Sequence, residues 1–542
     1  MTTLLLAQTA AAEGVARSAS ILVKLDSIWP EVALFLATCV VMVVGLSPRL
    51  AIRRWSAPIA GVGLVAAGIL AWWSPETAGP LPHLLPYAKM MIAGVGLLLL
   101  LLVAGTVDRT EEGLIASGRI PFNPLRTNRA EFYAFVLFSL TGAMLCASAD
   151  DLIWLFLALE LTSLPTYIMV TISQGGRAGA RAQEAGVKYF FLGALGAAVF
   201  LFGFALLYGA TGTTKLPEMA AFFADHSIEA SPIGLLGMIL AVLGVGFKIA
   251  AVPMHLYTPD VYEGAASPVS AFLAFVPKTA GFIAIILLVS TAGWVHGAGH
   301  SLPEPVRLTL WIMAFLTMTW GNVLALLQTS VKRILAYSSI AHAGYMLVGV
   351  IAGPQGTSIT TNGLAAVLFY LLAYGVMNIG AFGVLACLER TGPDGEVREV
   401  ETIDDLRGLC ATHPALGWTM VLCAASLLGL PPLLGFWAKV PLFTSAISAG
   451  EIPLVVVLGL NSAIAAFYYL RLVAYPLLEQ PEGAAPLPRP TPFVSRALAS
   501  ILAAAGVVVL AIAGNALMDA SRRAAEAPPA GQVTPHADSQ HP

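Results

Sequence analysis

About fourteen stretches of mostly apolar residues, each near the length of a lipid-spanning helix, follow one another along this chain with little between them. They fall near 28–47, 56–73, 86–106, 130–148, 152–173, 186–209, 233–256, 268–291, 306–328, 333–353, 362–388, 415–446, 453–476 and 497–517. Lipid offers backbone N–H and C=O groups no partners, so a crossing segment must satisfy its own, and a helix of ~20 residues does so across the apolar layer. Composition agrees: 58% of the 542 residues are hydrophobic and 11% are charged, against about a quarter charged in a soluble domain. The expectation is an all-α polytopic membrane protein, and a soluble enzyme is excluded.

The connections are short and hold turn-formers, as in SPETAGPLP after the second span and TGPDGEVREVETIDDLRG after the eleventh. EAPPAGQVTPHADSQHP and the few residues before it read as a disordered tail. The opening MTTLLLAQTAAAEG lacks a basic leader region and is expected to stay in the chain. Sixteen basic residues, among them Arg53, Lys332, Arg398 and Arg496, sit on one side of the layer; five (Arg17, Lys24, Lys215, Arg522, Arg523) sit on the other. Basic loops stay in the cytoplasm, which places the richer side there and both termini outside.

A net charge of −3 leaves no surplus for nucleic acid. The five cysteines form no CxxC pair, so neither a metal site nor a disulfide framework is expected. There is no Gly-Lys pair for a phosphate loop and no GxGxxG, so no cofactor site is expected in this chain.

Seven basic residues remain within or at the edges of spans: Lys89, Lys188, Lys248, Lys278, Arg307, Lys439 and Arg471. A long side chain near a helix end can lift its charge to the interface, and this is the expectation for Lys89, Arg307 and Arg471. It fails for Lys278, in the middle of FLAFVPKTAGFIAIILL, and for Lys248, in ILAVLGVGFKIAAVPMHLY. Lys439, in LLGLPPLLGFWAKVPLF, reads as deep too; Lys188 opens its span, where interface and interior are both open.

Glu160 lies mid-span in DLIWLFLALELTSLPTYIM, where an unpaired carboxylate would cost at least ~2.5–3.5 kcal/mol. A carboxylate that can approach or leave a buried lysine gives that lysine two proton affinities. A switchable proton carrier needs this property. A static pair that only fixes helix register would explain Glu160 and one lysine, not the others. His255, just after Pro253, and His342, in AYSSIAHAGYMLVG, are weaker candidates. Either packs as a hydrogen-bonded ring or serves as a relay, since imidazole exchanges protons near neutral pH.

Proline inside a helix frees a carbonyl and often unwinds a turn, and membrane proteins tolerate this where the gap lines water or buried protein. Pro253 follows Lys248 by five residues; Pro431, Pro432 and Gly435 precede Lys439. Two interrupted spans in matching positions suggest an inverted repeat. The expected division is 1–129 (three spans), 130–291 (first five-span repeat), 306–476 (second repeat) and 477–542 (last span and tail), with spans seven and twelve broken.

FKIAAVPMHLYTPDVYEGAASPVSAFLAFVPKTAGF (247–282), with LELTSLPTYIM, VKRILAYSSIAHAGYMLVG and GLPPLLGFWAKVPLF, resembles the antiporter-like membrane subunits of respiratory complex I. The resemblance covers nearly all of 28–517. It implies fourteen helices with two inverted five-helix repeats, and a part in proton translocation driven by quinone reduction elsewhere. It further implies that Glu160 is the fifth-helix glutamate, Lys248 its seventh-helix partner and Lys278 the central eighth-helix lysine. By the same resemblance, Lys439 is the exit-side twelfth-helix lysine and Lys188 a sixth-helix lysine that modulates the pair. Lysine at 439 departs from the M type, which has glutamate there, and the chain stops soon after span fourteen, without the long lateral helix of the L type. NADH, FMN, iron–sulfur clusters and quinone would belong to other subunits, and the partners would be other membrane subunits in a bacterial inner membrane. Three rivals stay open: a subunit of a cation/proton antiporter, a substrate transporter, and a non-conducting relay of conformational change.

Overall fold

The computed structural model describes residues 26–75, 81, 83–123, 127–294, 302–355, 358–391, 397–480 and 488–526. The opening segment with Arg17 and Lys24, Arg126, and the tail beyond 526 lie outside these residues. The helices that position the site are α1 (Trp29–Gly45), α2 (Ser56–Trp72), α3 (Leu84–Val103), α4 (Arg129–Ala147), α5 (Leu152–Ile172), α6 (Gly176–Thr211), α7 (Pro232–Val245), α8 (Thr258–Gly264) and α9 (Ser267–Ala292). They continue with α10 (Glu304–Leu326), α11 (Val331–Ala352), α12 (Gly363–Ala386), α13 (Pro414–Leu428), α14 (Leu434–Ser448), α15 (Ile452–Leu478), α16 (Val494–Ile512) and α17 (Gly514–Ala524).

Eleven helices among the described residues are long and apolar enough to cross a membrane, and the shorter apolar α1, α7 and α13 fall on the predicted first, seventh and twelfth spans. The chain is a multi-pass membrane protein.

Local chemistry sets the helix starts. Asp151 accepts from the Ile153 N–H at 2.7 Å to begin α5, and Asn362 accepts from Ala365 at 2.9 Å to begin α12. Pro232 and Pro414 occupy first-turn positions of α7 and α13, where a missing N–H costs nothing. Helices α9 and α11 are buried along their length, as is nearly all of α12, whereas α2, α6, α15 and α16 expose apolar faces. The bundle therefore has a sealed centre of three helices inside a ring whose outer faces suit lipid or partner proteins. Arg496, in the first turn of α16, closes one end of it by donating to Ala104 O (3.0 Å) and Ala386 O (2.9 Å), the C-terminal carbonyls of α3 and α12.

Four sequence expectations change. The seventh span runs as a helix only to Val245; Lys248 sits inside an irregular stretch, 246–257, and the span resumes as α8 up to Gly264. The connection after the eleventh span is not only turns. Its Leu388–Thr391 strand pairs antiparallel with Val397–Glu399 and with Arg489–Pro490. Residues up to Ala524, expected to begin a disordered tail, form α17 instead. Lys89 does not reach an interface: it is fully buried and paired with Glu31 at 2.7 Å, with Ser148 also bonded to that carboxylate at 3.4 Å. A buried ammonium needs a partner more than it needs an exit, and the acid lay 58 residues away in sequence. Arg307 sits in the first turn of α10, on Glu304 and Glu451, whereas Arg471 lies about two turns inside the C-terminal end of α15 and donates to Gln328 O, just beyond α10.

Candidate functional site

Both helix interruptions fall where the sequence expected them, and in each the freed backbone is bonded by side chains. In the first, the Val252 N–H donates to Thr317 Oγ1 at 2.9 Å and Tyr257 Oη donates to Phe247 O at 2.8 Å. In the second, 429–433 separates α13 from α14, and the Gly435 N–H donates to Ser426 Oγ at 2.9 Å. Irregular backbone inside a bundle persists only when it is satisfied this way.

Lys248 projects from the first interruption onto α5. Its Nζ lies 3.0 Å from Glu160 Oε1, 2.6 Å from Ser163 Oγ and 3.4 Å from Leu159 O. The lysine side chain is 1% exposed and the glutamate 18%, so the base of the pair is sealed and its acid half-open. The rings of Phe200 and Phe247 flank the ammonium at 5.7 and 5.9 Å, which leaves Glu160 and Ser163 as its polar side-chain partners. Ser163 follows Glu160 by three residues and shares its helix face. That spacing in LELTSLP was the signal for it.

Lys278, fully enclosed on α9, donates to Ser339 O on α11 and stands 5.7 Å from the Tyr374 ring centre. Three residues along α9, Gly281 meets the backbone beside Lys248, so the two lysines flank one small-residue contact. His342, one turn beyond Ser339 on α11, has both ring nitrogens bonded to hydroxyls, Nδ1 to Tyr370 at 2.6 Å and Nε2 to Tyr469 at 2.8 Å; Tyr469 also shares a hydrogen bond with Ser338. Its ring centre is 5.0 Å from Tyr374 and 5.4 Å from Tyr345. Tyr345 in turn lies 5.4 Å from Lys439 Nζ. Imidazole and phenol therefore fill the space between the second lysine and the third. These tyrosines were missed because aromatic residues in apolar runs read as packing.

Lys439 donates to Leu428 O, the last carbonyl of α13, at 2.8 Å. A cation at a helix C-terminus is favoured by the dipole there, and the second interruption creates that terminus mid-bundle. Lys188 is not brought to the Glu160–Lys248 pair. It is 44% exposed and bonds Glu184 at 2.8 Å and Asp260 at 2.9 Å. His255 is buried beside Trp320, ring centres 6.3 Å apart, with no hydrogen bond at Nδ1. Among the described residues, no group of three or more His, Cys, Asp or Glu is placed to hold a metal ion.

Comparison with known proteins fits this geometry. The family described as NADH:quinone oxidoreductase/Mrp antiporter, TM, matches residues 149–465. NADH-quinone oxidoreductase subunit N of Alkalilimnicola ehrlichii is 35% identical over 489 residues, covering 89% of this chain and 92% of that one. The protein of the same name from Trichlorobacter lovleyi is 43% identical over 349 residues, 64% and 67% of the two chains. A chain of respiratory complex I from Thermus thermophilus superposes with a TM-score of 0.70 at 31% identity, over 90% of this chain and 98% of that one. A chain of the Mrp complex from Dietzia sp. shares the fold alone, with a TM-score of 0.72 at 20% identity over 93% and 97% of the two chains. With a family match over more than half its length, and with its lysines set at the breaks and centre of the matched helices, the chain belongs to the family of NADH:quinone oxidoreductase and Mrp antiporter transmembrane subunits.

Proposed function

We propose that this chain is the N-type proton-translocating membrane subunit of an NADH:quinone oxidoreductase, moving protons along Glu160, Lys248, Lys278, His342 and Lys439. The observation that carries the reading is the sealed Lys248 ammonium 3.0 Å from a half-open Glu160 at a helix interruption. With the carboxylate in place, Coulomb attraction in a poorly polar cavity holds the proton on Lys248. With the carboxylate withdrawn, the same enclosure favours the neutral amine, and the proton passes on. Lys278 receives it, the His342–tyrosine cluster bridges the gap, and Lys439 delivers it toward the far side. Lys188, bonded to Glu184 and Asp260, and His255, beside Trp320, are not part of this route.

The chain would cross a bacterial inner membrane fourteen times as two inverted five-helix repeats with both termini outside, loading from the side rich in Lys and Arg. It holds no redox centre in this reading. NADH, FMN, iron–sulfur clusters and quinone act in partner subunits, and the driving movement reaches this chain laterally from neighbouring membrane subunits. The test is Lys248→Ala and Glu160→Ala in the assembled complex, with proton uptake into inverted vesicles measured against NADH oxidation. Both are expected to lower protons moved per NADH, and Lys278→Ala at least as far. A normal ratio in assembled variants would overturn the reading, and Na+-dependent transport by the purified chain would favour the antiporter alternative.

A further inference from the structure

Glu160–Lys248 is not the only pair of its kind. Lys332, in the first turn of α11, lies 2.9 Å from Glu399 on the Val397–Glu399 strand, and the two side chains are 1% and 18% exposed, the same values as Lys248 and Glu160. Sequence reading placed Lys332 among the solvated basic loops; the strand covers it. The backbone on either side is fastened, the Val331 N–H to Glu401 O at 2.8 Å and the Ile403 N–H to Thr329 O at 3.1 Å. The pair sits at the head of the central helix. Ser267, the first residue of α9, donates to Glu399 through its N–H (2.9 Å) and its hydroxyl (2.7 Å), and Lys332 donates to Ala265 O at 3.0 Å. Burial by itself would raise the Glu399 carboxyl, but the adjacent ammonium and the Ser267 donors outweigh it and hold the group below the usual carboxylate range.

Lys278 meets the helix that carries Lys332. Ser339 follows Lys332 by seven residues, two turns on the same face of α11 and about 10 Å along its axis. Its carbonyl accepts from Lys278, and its hydroxyl lies 3.4 Å from Tyr262 Oη, on the helix segment that ends at the Ala265 joint. We propose that Glu399 and Lys332 form a second proton-loading station on the face rich in basic residues, feeding Lys278 through Tyr262 and Ser339 without passing Glu160 and Lys248. This rests on the proton-translocating reading above. In each transfer one N–H bond of the Lys332 ammonium breaks, and the proton moves through hydroxyl and water to form an N–H bond on the neutral amine of Lys278. Lys332, left as an amine, takes its replacement proton from outside water at the half-open Glu399, which returns to carboxylate.

The variant to build is Glu399→Gln with Lys332→Met, because removing both charges leaves no unpaired ion in the interior. Proton uptake per NADH is measured in vesicles of the assembled complex, beside Lys278→Ala and Glu160→Ala. The double variant is expected to lose part of the uptake that Lys278→Ala loses and to add to the loss of Glu160→Ala. On a Lys278→Ala background it should cause no further loss, and Glu399→Asp should retain most of the uptake. A full ratio in the double variant, with Lys278→Ala impaired, overturns the second station alone. Fewer assembled complexes with an unchanged ratio would mark the pair as a structural clamp and overturn it equally. A full ratio in Lys278→Ala would instead sink the parent reading.

Discussion

A methyl group on residue 281 would lie 2.7 Å from Ile249 Cγ2 and 2.9 Å from Lys248 Cβ, closer than packed carbons approach. Gly281 is therefore what lets the broken segment rest against the central helix and sets the reach between Lys248 and Lys278. Gly281→Ala is expected to cost about 1–3 kcal/mol of local strain and to lower protons per NADH. Gly94→Ala, where nothing lies within 4 Å, should leave the ratio unchanged. Lys89 makes the opposite case. Its ammonium and the Glu31 carboxylate are both enclosed, so Lys89→Ala strands a buried charge at a cost of about 3–5 kcal/mol. Immunoblots of membranes should show less assembled complex, while protons per NADH in what remains stay normal, because neither residue belongs to the proposed route from Glu160 to Lys439. Lys248, Lys278 and Lys439 could be singled out from sequence by depth alone. Glu31 as the partner of Lys89 could not, because pairing across 58 residues leaves no local trace.

Each interruption allows a contact that an unbroken helix would not make. The first frees a lysine from helical geometry so that it reaches a glutamate on another helix; the second places a helix C-terminus opposite Lys439. Proline spacing marked both sites, but not that the first break would extend from 246 to 257, because its length depends on Thr317 and on the Tyr257 hydroxyl accommodating the freed backbone. The strand with Glu399 is an element of another sort, a surface piece fastened by the Lys332–Glu399 pair and the Ser267 donors, with Arg109–Glu389 and Arg390–Asp405 beside them. A carboxylate held below its usual range contributes stability that is present above that range and is lost as the pH falls through its lowered value. Acidification into that region should therefore release the 388–399 segment, read as faster proteolytic cleavage there in membranes. Glu399→Gln should remove that acid dependence.

At the scale of the whole molecule, the central helices α9, α11 and α12 carry Lys278, His342, Tyr345, Tyr370 and Tyr374 inside the bundle, Tyr469 reaches in from α15, and the ring around them encloses the charges. The two faces should also be distinguishable. A cysteine replacing Arg398 and one replacing Arg522 are expected to react with a membrane-impermeant maleimide from opposite sides, Arg398 from the cytoplasmic one. Labelling of both from the same side would overturn the topology.

The sequence by itself determined that the chain is a multi-pass membrane protein and which lysines and glutamate lie deep in its apolar runs. These follow from the cost of bare backbone and charge in hydrocarbon, and that cost acts residue by residue along the chain. Only the tertiary structure decided who meets whom: Lys89 with Glu31, Lys188 with Asp260 and not Glu160, His342 between two tyrosines, Lys332 under a strand. Such pairings depend on how separate helices pack, and distances between helices are set by side-chain fit at contacts far apart in sequence.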